Sequence, residues 1–168
     1  MSISCSALYF TEMASPVGQL RLYAHDSALV AVLWEHEQPH RVKLSAAMRH
    51  DQHPILCEAV TQLTAYFSAQ RTHFDLPLAF FGTEFQQQVW QALRSIPFGE
   101  TRSYQYIATQ IGNPKAVRAV GAANGKNPLS IIVPCHRVVG AQGKLVGFAG
   151  GLANKQLLLD LEKVKKDQ

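Results

Sequence analysis

The spacing of apolar residues changes along this chain, and the change outlines its elements. From residue 7, "ALYFTEMA", "QLRLYAHD" and "ALVAVLWEHE" alternate apolar and polar positions, with "SPVG" between the first two. Alternation at period two marks half-buried strands, because successive side chains point to opposite faces. The first third therefore predicts an antiparallel meander that turns at "SPVG". Residues 54–70, "PILCEAVTQLTAYFSAQ", switch period, with Ile55, Leu56, Ala59, Val60, Leu63, Tyr66 and Phe67 at helical spacing and Pro54 near the start. Cys57 lies within this helix and is read as a packing residue. Residues 71–82, "RTHFDLPLAFFG", hold Pro and Gly and follow no period. The expected domain boundary falls there, giving an N-terminal domain over 1–80 and a second over 81–168.

The second domain reads as mainly helical. Thr83 and Gln86 have capping-box spacing ahead of Val89, Trp90, Leu93 and Ile96. "PFGE" breaks that pattern, Ser103 can cap a short helix over "YQYIATQI", and Gly112 ends it. Asn113 and Pro114 then start a helix over "KAVRAVGAAN". Two short helices joined by a tight Gly-Asn-Pro turn are a helix-turn-helix candidate, or an ordinary helical hairpin. "RAVGAANG" is nearly all small residues, which bury little area but let another backbone approach closely. The last helix, "GLANKQLLLDLEKVKK", is entered through Gly150 and Gly151 and packs through Leu157, Leu158 and Leu161. Glu162 stands at the edge of that stripe, where a solvated carboxylate is expected. The fold class expected is α/β (α+β), an antiparallel sheet with a helix followed by a mainly helical domain.

Composition adds bounds. A chain of 168 residues with 47% hydrophobic and 17% charged residues is globular in type. No run approaches the ~20 apolar residues of a membrane span, and no basic residue precedes the first apolar patch as a signal peptide would require. Three widely spaced cysteines, Cys5, Cys57 and Cys135, do not form a disulfide framework, so a reducing, cytoplasmic setting is expected. Residues 1–80 carry five Lys/Arg against seven Asp/Glu, whereas 81–168 carry eleven against five. Between 101 and 155 stand Arg102, Lys115, Arg118, Lys126, Arg137, Lys144 and Lys155, with no acid. Solvated faces usually mix signs, so this run points to a polyanionic partner.

Inside that run lies "IIVPCHRVVG", residues 131–140, where a cysteine and a histidine follow a proline. A cysteine reacts as its thiolate, and a histidine is a suitable base. Neighbours on a strand point apart, so Cys135 and His136 would not touch directly. Either Pro134 ends the strand and turns the chain, or a water bridges the two. A buried, inert thiol is the plain alternative. The other six histidines all fall in the N-terminal part and offer no obvious partner.

"NPLSIIVPCHRVVG" resembles the active-site signature of the O6-alkylguanine-DNA alkyltransferases, whose hallmark is Pro-Cys-His-Arg-Val. "SYQYIATQIGNPKAVRAVGAANGKNP" resembles the helix-turn-helix of that family, and "GFAGGLANKQLLLDLE" its glycine loop and last helix. The resemblance is continuous from about Phe85 to Glu162; the N-terminal part matches weakly, through "SPVGQLRLYAHDSALVAVLW". It implies an RNase H-like N-terminal domain and a C-terminal domain that both binds DNA and catalyses. It also implies a suicidal DNA-repair protein, which takes the alkyl group from O6-alkylguanine, and from O4-alkylthymine, once per molecule. By the same resemblance Cys135 is the acceptor, His136 a water-bridged base and Glu162 the group that holds it. Asn127 braces the turn, and Tyr104 donates toward the departing guanine. Arg118 fills the gap left by a flipped nucleotide, the small-residue helix lies in the minor groove, and Gln105 and Asn113 contact the DNA backbone. A monomer needing no cofactor is expected.

Two features depart from the family. Some members bind zinc in the N-terminal domain, but only Cys5 and His25 are suggestively placed here, too few for a tetrahedral site, so no metal is expected. Phe148 stands where the glycine loop would carry Tyr, which bears on substrate range. Three rivals remain: a module that binds alkylated guanine without repairing it, a cysteine hydrolase, and a transcription regulator. The first would lack the acceptor cysteine, the second would turn over without DNA, and the third would need a dimer for paired half-sites.

Overall fold

The computed structural model describes residues 7–166, apart from the side chains of 165 and 166. Cys5 lies outside the described residues. The fold is α/β (α+β), in two compact units that divide after residue 80.

The first unit is built on a sheet of order β3-β2-β1-β4. β1 (Tyr9–Met13), β2 (Leu20–Ala24) and β3 (Leu29–Trp34) form the antiparallel meander, with Tyr9 opposite Ala24 and Leu20 opposite Trp34. The "SPVG" turn closes through Gly18 N–H donating to the Ser15 carbonyl at 3.0 Å, with Gly18 at φ 96°. β3 is buried at all six positions, and its outer edge is paired by Leu29 N–H to Pro77 O (2.8 Å) and Ala79 N–H to Leu29 O (3.0 Å). β4 (Met48–Arg49) adds a parallel pairing on β1 that alternation did not reveal, because two residues carry no period.

α1 (Pro54–Phe67) lies on the meander and buries Leu56, Ala59, Gln62, Leu63 and Tyr66. It ends three residues before the expected limit. Ala69 takes a left-handed φ of 62°, and Gln70 N–H reaches back to Ala65 O at 2.8 Å, which closes the last turn. Cys57 is exposed, not packed, and its thiol donates to Asp51 O at 3.2 Å.

In the second unit the capping signals of the first two helices hold. α2 (Glu84–Leu93) starts with the reciprocal Thr83–Gln86 box and buries Val89, Trp90 and Leu93. Gly82 is required there, since a β-carbon would lie 2.6 Å from the Trp90 ring. α3 (Tyr104–Gln110) is capped by Ser103, whose hydroxyl accepts from Tyr106 N–H at 3.0 Å, and Gly112 ends it at φ 80°. α4 (Val117–Gly125) begins later than expected: its N-cap is Ala116, with no side-chain cap, not Asn113. Asn113 instead accepts Ala116 N–H at 3.0 Å, so Pro114 and Lys115 belong to the turn.

α4 is thin but not loosely held. Val120, Ala123 and Asn124 face inward, and the Trp90 indole donates to Ala123 O at 2.8 Å. An aromatic of that kind buries ~150–250 Å², roughly 4–6 kcal/mol of gross apolar transfer. One large side chain thus compensates for several small ones.

β5 (Arg102–Ser103) pairs in parallel with β6 (Val138–Val139), which ties the start of α3 to the segment after Cys135. α5 (Leu152–Lys166) follows Gly151, at φ 89°. Its inward stripe is not the leucine set expected. The fully buried positions are Lys155, Leu158 and Glu162, while Leu157 and Leu161 are half-buried. Two charges on the inner face of a helix call for an explanation.

Candidate active site

The segment leading to Cys135 is not a strand. Ile131 sits at φ 73°, a conformation that a β-branched residue adopts at a cost of about 1–3 kcal/mol. The chain doubles back there, with Ile132 N–H on Ser130 O (2.9 Å) and Val133 N–H on Leu129 O (2.8 Å). Pro134 then caps a single 3-10 turn, Cys135–Arg137, closed by Arg137 N–H to Pro134 O at 3.0 Å. Neighbours in such a turn stand about 120° apart, so Cys135 and His136 still diverge. The chain does turn ahead of Cys135, as the first of the two expected alternatives has it, but the turn starts at Ile131 and no strand runs up to Pro134.

Asn127 braces this turn. Its amide donates to Val133 O at 2.9 Å, and its carbonyl oxygen accepts Leu129 N–H at 3.0 Å. Val133 O also accepts Cys135 N–H at 2.8 Å, so Asn127 is one hydrogen bond removed from the cysteine's own peptide. Cys135 is 3% exposed and in no disulfide.

Behind the cysteine lies a buried ionic cluster. His136 Nε2 and Glu162 Oε2 are 2.7 Å apart, and both residues are buried. Arg137 donates from Nε to Glu162 Oε1 (2.8 Å), from Nη2 to Oε2 (3.1 Å) and from Nη1 to Ile96 O (2.7 Å). Gly99 N–H adds a long bond to Oε1 at 3.4 Å, and the Phe98 ring lies 5.7 Å from the guanidinium carbon. The "PFGE" break that ended a helix in sequence thus wraps this cluster with a ring and an N–H, beside the carbonyl of the preceding Ile96.

Burial by itself would raise the Glu162 carboxyl, but the hydrogen bonds from His136 and Arg137 and the charge of the guanidinium outweigh it and hold the group far below the usual carboxylate range. An ionised carboxylate only accepts, so Nε2 of His136 carries the hydrogen and Nδ1 presents its lone pair. Burial lowers the His136 pKa against the pull of Glu162, so the ring is neutral. Nδ1 is buried and has no hydrogen-bond partner among the described residues. A buried polar atom of this kind costs free energy until something bonds to it.

Lys155 is fully buried as well. Its ammonium donates to Val146 O at 3.2 Å and lies 5.8 Å from the centre of the Phe148 ring, which pins the glycine loop. Burial lowers its pKa, and negative charge on Cys135 opposes that. Tyr104 is raised first by burial and then by the same charge. Both groups therefore stand within electrostatic reach of the cysteine sulfur, from α5 and α3.

The remaining candidates are exposed, on the α3-turn-α4 surface. Arg118 and Asn113 are open to solvent. Gln105 donates to Pro114 O at 2.9 Å and to Thr109 Oγ1 at 3.4 Å, so it spans the turn between the two helices. A β-carbon on Gly121 would lie 4.0 Å from the Tyr104 ring, so α4 passes close to α3 at that point. The cations of the acid-free run part company. Lys115, Arg118, Lys126 and Lys144 face solvent, Arg102 is half-buried and paired with Glu100 at 3.0 Å, and Arg137 and Lys155 are buried in the cluster. Sequence reasoning counted those two as surface charge. Lys155 had one visible signal, helical spacing, since Lys155, Leu158 and Glu162 recur at three and four residues; Arg137 had none.

Among the described residues no helix is long and apolar enough to cross a membrane, and no group of three or more His, Cys, Asp or Glu side chains could hold a metal ion.

Comparison with known proteins gives concordant matches. Residues 84–164 match the 6-O-methylguanine DNA methyltransferase, DNA binding domain, and residues 8–80 match the ribonuclease-like domain of the same family. A methylated-DNA–protein-cysteine methyltransferase of Mycobacterium leprae is 49% identical over 158 residues, 93% of either chain. One from Methanosarcina acetivorans is 46% identical over 92% of this chain and 98% of its own. The crystal structure of Mycobacterium tuberculosis OGT in complex with DNA superposes with a TM-score of 0.87 at 47% identity, covering 94% of each chain.

Proposed function

This chain belongs to the 6-O-methylguanine DNA methyltransferase family, and from that membership we propose the following course for its reaction. The protein is a DNA-repair methyltransferase that binds DNA and moves an alkyl group from O6 of guanine, and from O4 of thymine, to its own Cys135. The Cys135 thiol gives its proton through one water to His136 Nδ1. The thiolate then attacks the alkyl carbon, so that an S–C bond forms as the C–O6 bond breaks. The electron pair left on guanine is neutralised by a proton from the Tyr104 hydroxyl. The thioether is stable, so each molecule acts once. No step calls for a cofactor.

The observation that carries this reading is the orphaned Nδ1 of a neutral, buried imidazole whose other nitrogen is held by Glu162. A neutral imidazole whose lone pair is unclaimed, one residue along the turn from the thiol, is suited to accept that proton through a water. Lys155 favours the thiolate electrostatically, and Asn127 keeps the turn that presents it.

The exposed face of the second unit supplies the DNA site. O6 is hidden in a stacked duplex, so the nucleotide must be extruded at a cost of a few kcal/mol. Arg118 enters the gap and offsets part of that cost, its charge meeting the negative potential of the minor groove, where the thin α4 lies. Gln105 and Asn113 contact the backbone beside it. A single lesion has no two-fold symmetry, so a monomer suffices. Among the described residues Cys57 and Cys135 are free thiols, and a protein that depends on a nucleophilic thiol works in the reducing cytoplasm.

Intact mass after exposure to duplex DNA bearing O6-methylguanine tests this. One added methyl per protein is the outcome of repair. An unchanged mass with retained DNA binding would make the protein a lesion-binding module instead.

A further inference from the structure

Arg137 belongs to the basic run, yet only 7% of it is exposed and its guanidinium is engaged inside the second unit. Two of its nitrogens meet the Glu162 carboxylate at 2.8 and 3.1 Å, and a third meets Ile96 O at 2.7 Å. Only a planar fork makes that set of bonds. A group held this way does not reach a phosphate. Nor does stability account for it, since buried ion pairs are often matched by apolar replacements of similar volume. Its effect on its neighbours is the remaining explanation.

We infer that Arg137 is a positioning residue that sets the charge state of the relay. By neutralising Glu162 it keeps His136 a neutral imidazole with its lone pair on Nδ1. The inference rests on the reading above, in which Cys135 gives its proton to His136.

The geometry carries the argument. Glu162 Oε2 receives both His136 Nε2 and Arg137 Nη2, at 2.7 and 3.1 Å. Imidazole and guanidinium thus share one oxygen. A buried carboxylate with no counter-ion would draw a second proton onto the ring, making both ring nitrogens donors and leaving the thiol no acceptor. The charged and titratable groups around His136 are few. Its own turn brings Cys135 and Arg137, and α5 brings Glu162 and Lys155, while Tyr104 of α3 acts on Cys135. α2 turns only Val89, Trp90 and Leu93 inward. Of the two buried cations, Lys155 bonds to Val146 O, so Arg137 is the one bonded to the carboxylate. Burial, opposed by Glu162 and aided by Arg137 and then Lys155, holds the ring's pKa down. A unit charge roughly 5–6 Å from an imidazole, at an effective dielectric near 20, moves its pKa by up to about two units.

The test uses the whole chain and free O6-benzylguanine, so DNA binding plays no part. His136 ring nitrogen shifts are followed against pH by NMR, alongside single-turnover benzyl transfer, in Arg137→Met and Arg137→Lys. In Arg137→Met the His136 titration and the acidic limb of the rate profile should move up by about one to two units. Arg137→Lys keeps the charge, and its shift should be less than half as large. If Arg137→Met does not fold, the double variant Arg137→Met/Glu162→Gln removes both charges together. Its His136 should then titrate about one to two units above that of Glu162→Gln. An unmoved titration in a folded variant, or a lysine variant that shifts as far as the methionine, would make Arg137 a structural brace and overturn the inference. Failure of the underlying reading looks different: wild-type protein would place no benzyl group on Cys135, whatever His136 does.

Discussion

Glu162→Gln perturbs the relay by one atom. The carboxylate is 1% exposed and accepts from His136, twice from Arg137 and distantly from Gly99. An amide offers one oxygen and one NH2. If its oxygen faces Arg137, its NH2 faces His136 Nε2, which must then give up its hydrogen. The proton moves to Nδ1, the atom that has to accept from Cys135. If the amide turns round, its NH2 meets the guanidinium donors. In both orientations Arg137 becomes a buried cation with no counter-ion, at a cost of about 3–5 kcal/mol. For a unit of this size Tm falls by about 4–8 °C per kcal/mol, hence by more than ~10 °C. In serine proteases the equivalent carboxylate-to-amide change costs ~10⁴ in kcat through the wrong tautomer. A thiol is intrinsically more nucleophilic than a hydroxyl, so the loss expected here is ~10²–10³. Single-turnover transfer at saturating protein, well below the variant's Tm, measures it on methylated duplex and on free O6-benzylguanine. The Glu162 pKa lies below its unfolded value, so its contribution to stability is present above about pH 4.3 and is lost only in strong acid, as pH falls through the folded value. The glutamine variant should lack that dependence. A folded variant within threefold of wild type, or one that loses DNA binding and transfer equally, would refute the relay.

Two further outcomes follow from the site. Arg118→Ala should slow repair of duplex DNA by tenfold or more at saturating protein and leave transfer from free O6-benzylguanine within twofold, because a free base has no stack to leave; recovery of the duplex rate at saturation would reduce Arg118 to a phosphate clamp. Lys155→Met should slow transfer from both substrates by roughly tenfold, and the pH profile of Cys135 alkylation by iodoacetamide should move upward by about one unit, since a buried positive charge near the sulfur is lost; an unmoved profile would leave Lys155 only its bond to Val146 O.

What could be read from the sequence was local. Thr83 with Gln86, Ser103 and Gly112 announced helix ends because each acts on backbone groups within four residues of itself. The meander was legible because alternation at period two is imposed by the pleat. Ile131 gave no such sign, since nothing in its type favours a left-handed backbone; the tertiary turn imposes it, and the strand reading of "IIVPC" failed there. Ala116 starts α4 without a side-chain cap, so the nearest capping pair, Asn113 and Pro114, drew the boundary too early. The burial of Arg137, Lys155 and Glu162 was the largest omission. Glu162 lies 25 residues from Arg137. Either charge alone reads as solvated, and each is buried because the other is there. Cys135, His136, Glu162 and Asn127 were named through the resemblance; the residues that set their charge and hold the loop around them appeared only in the structure.

The central claim is that Cys135 accepts the alkyl group. Wild-type protein and Cys135→Ser are exposed to duplex DNA bearing O6-methylguanine, digested, and mapped by peptide mass. The account predicts one methyl per wild-type molecule, on the peptide that contains Cys135, and none on Cys135→Ser, which should keep its fold and much of its DNA affinity. A methyl found on Cys5 or on the exposed Cys57, or transfer that persists in Cys135→Ser, would contradict it.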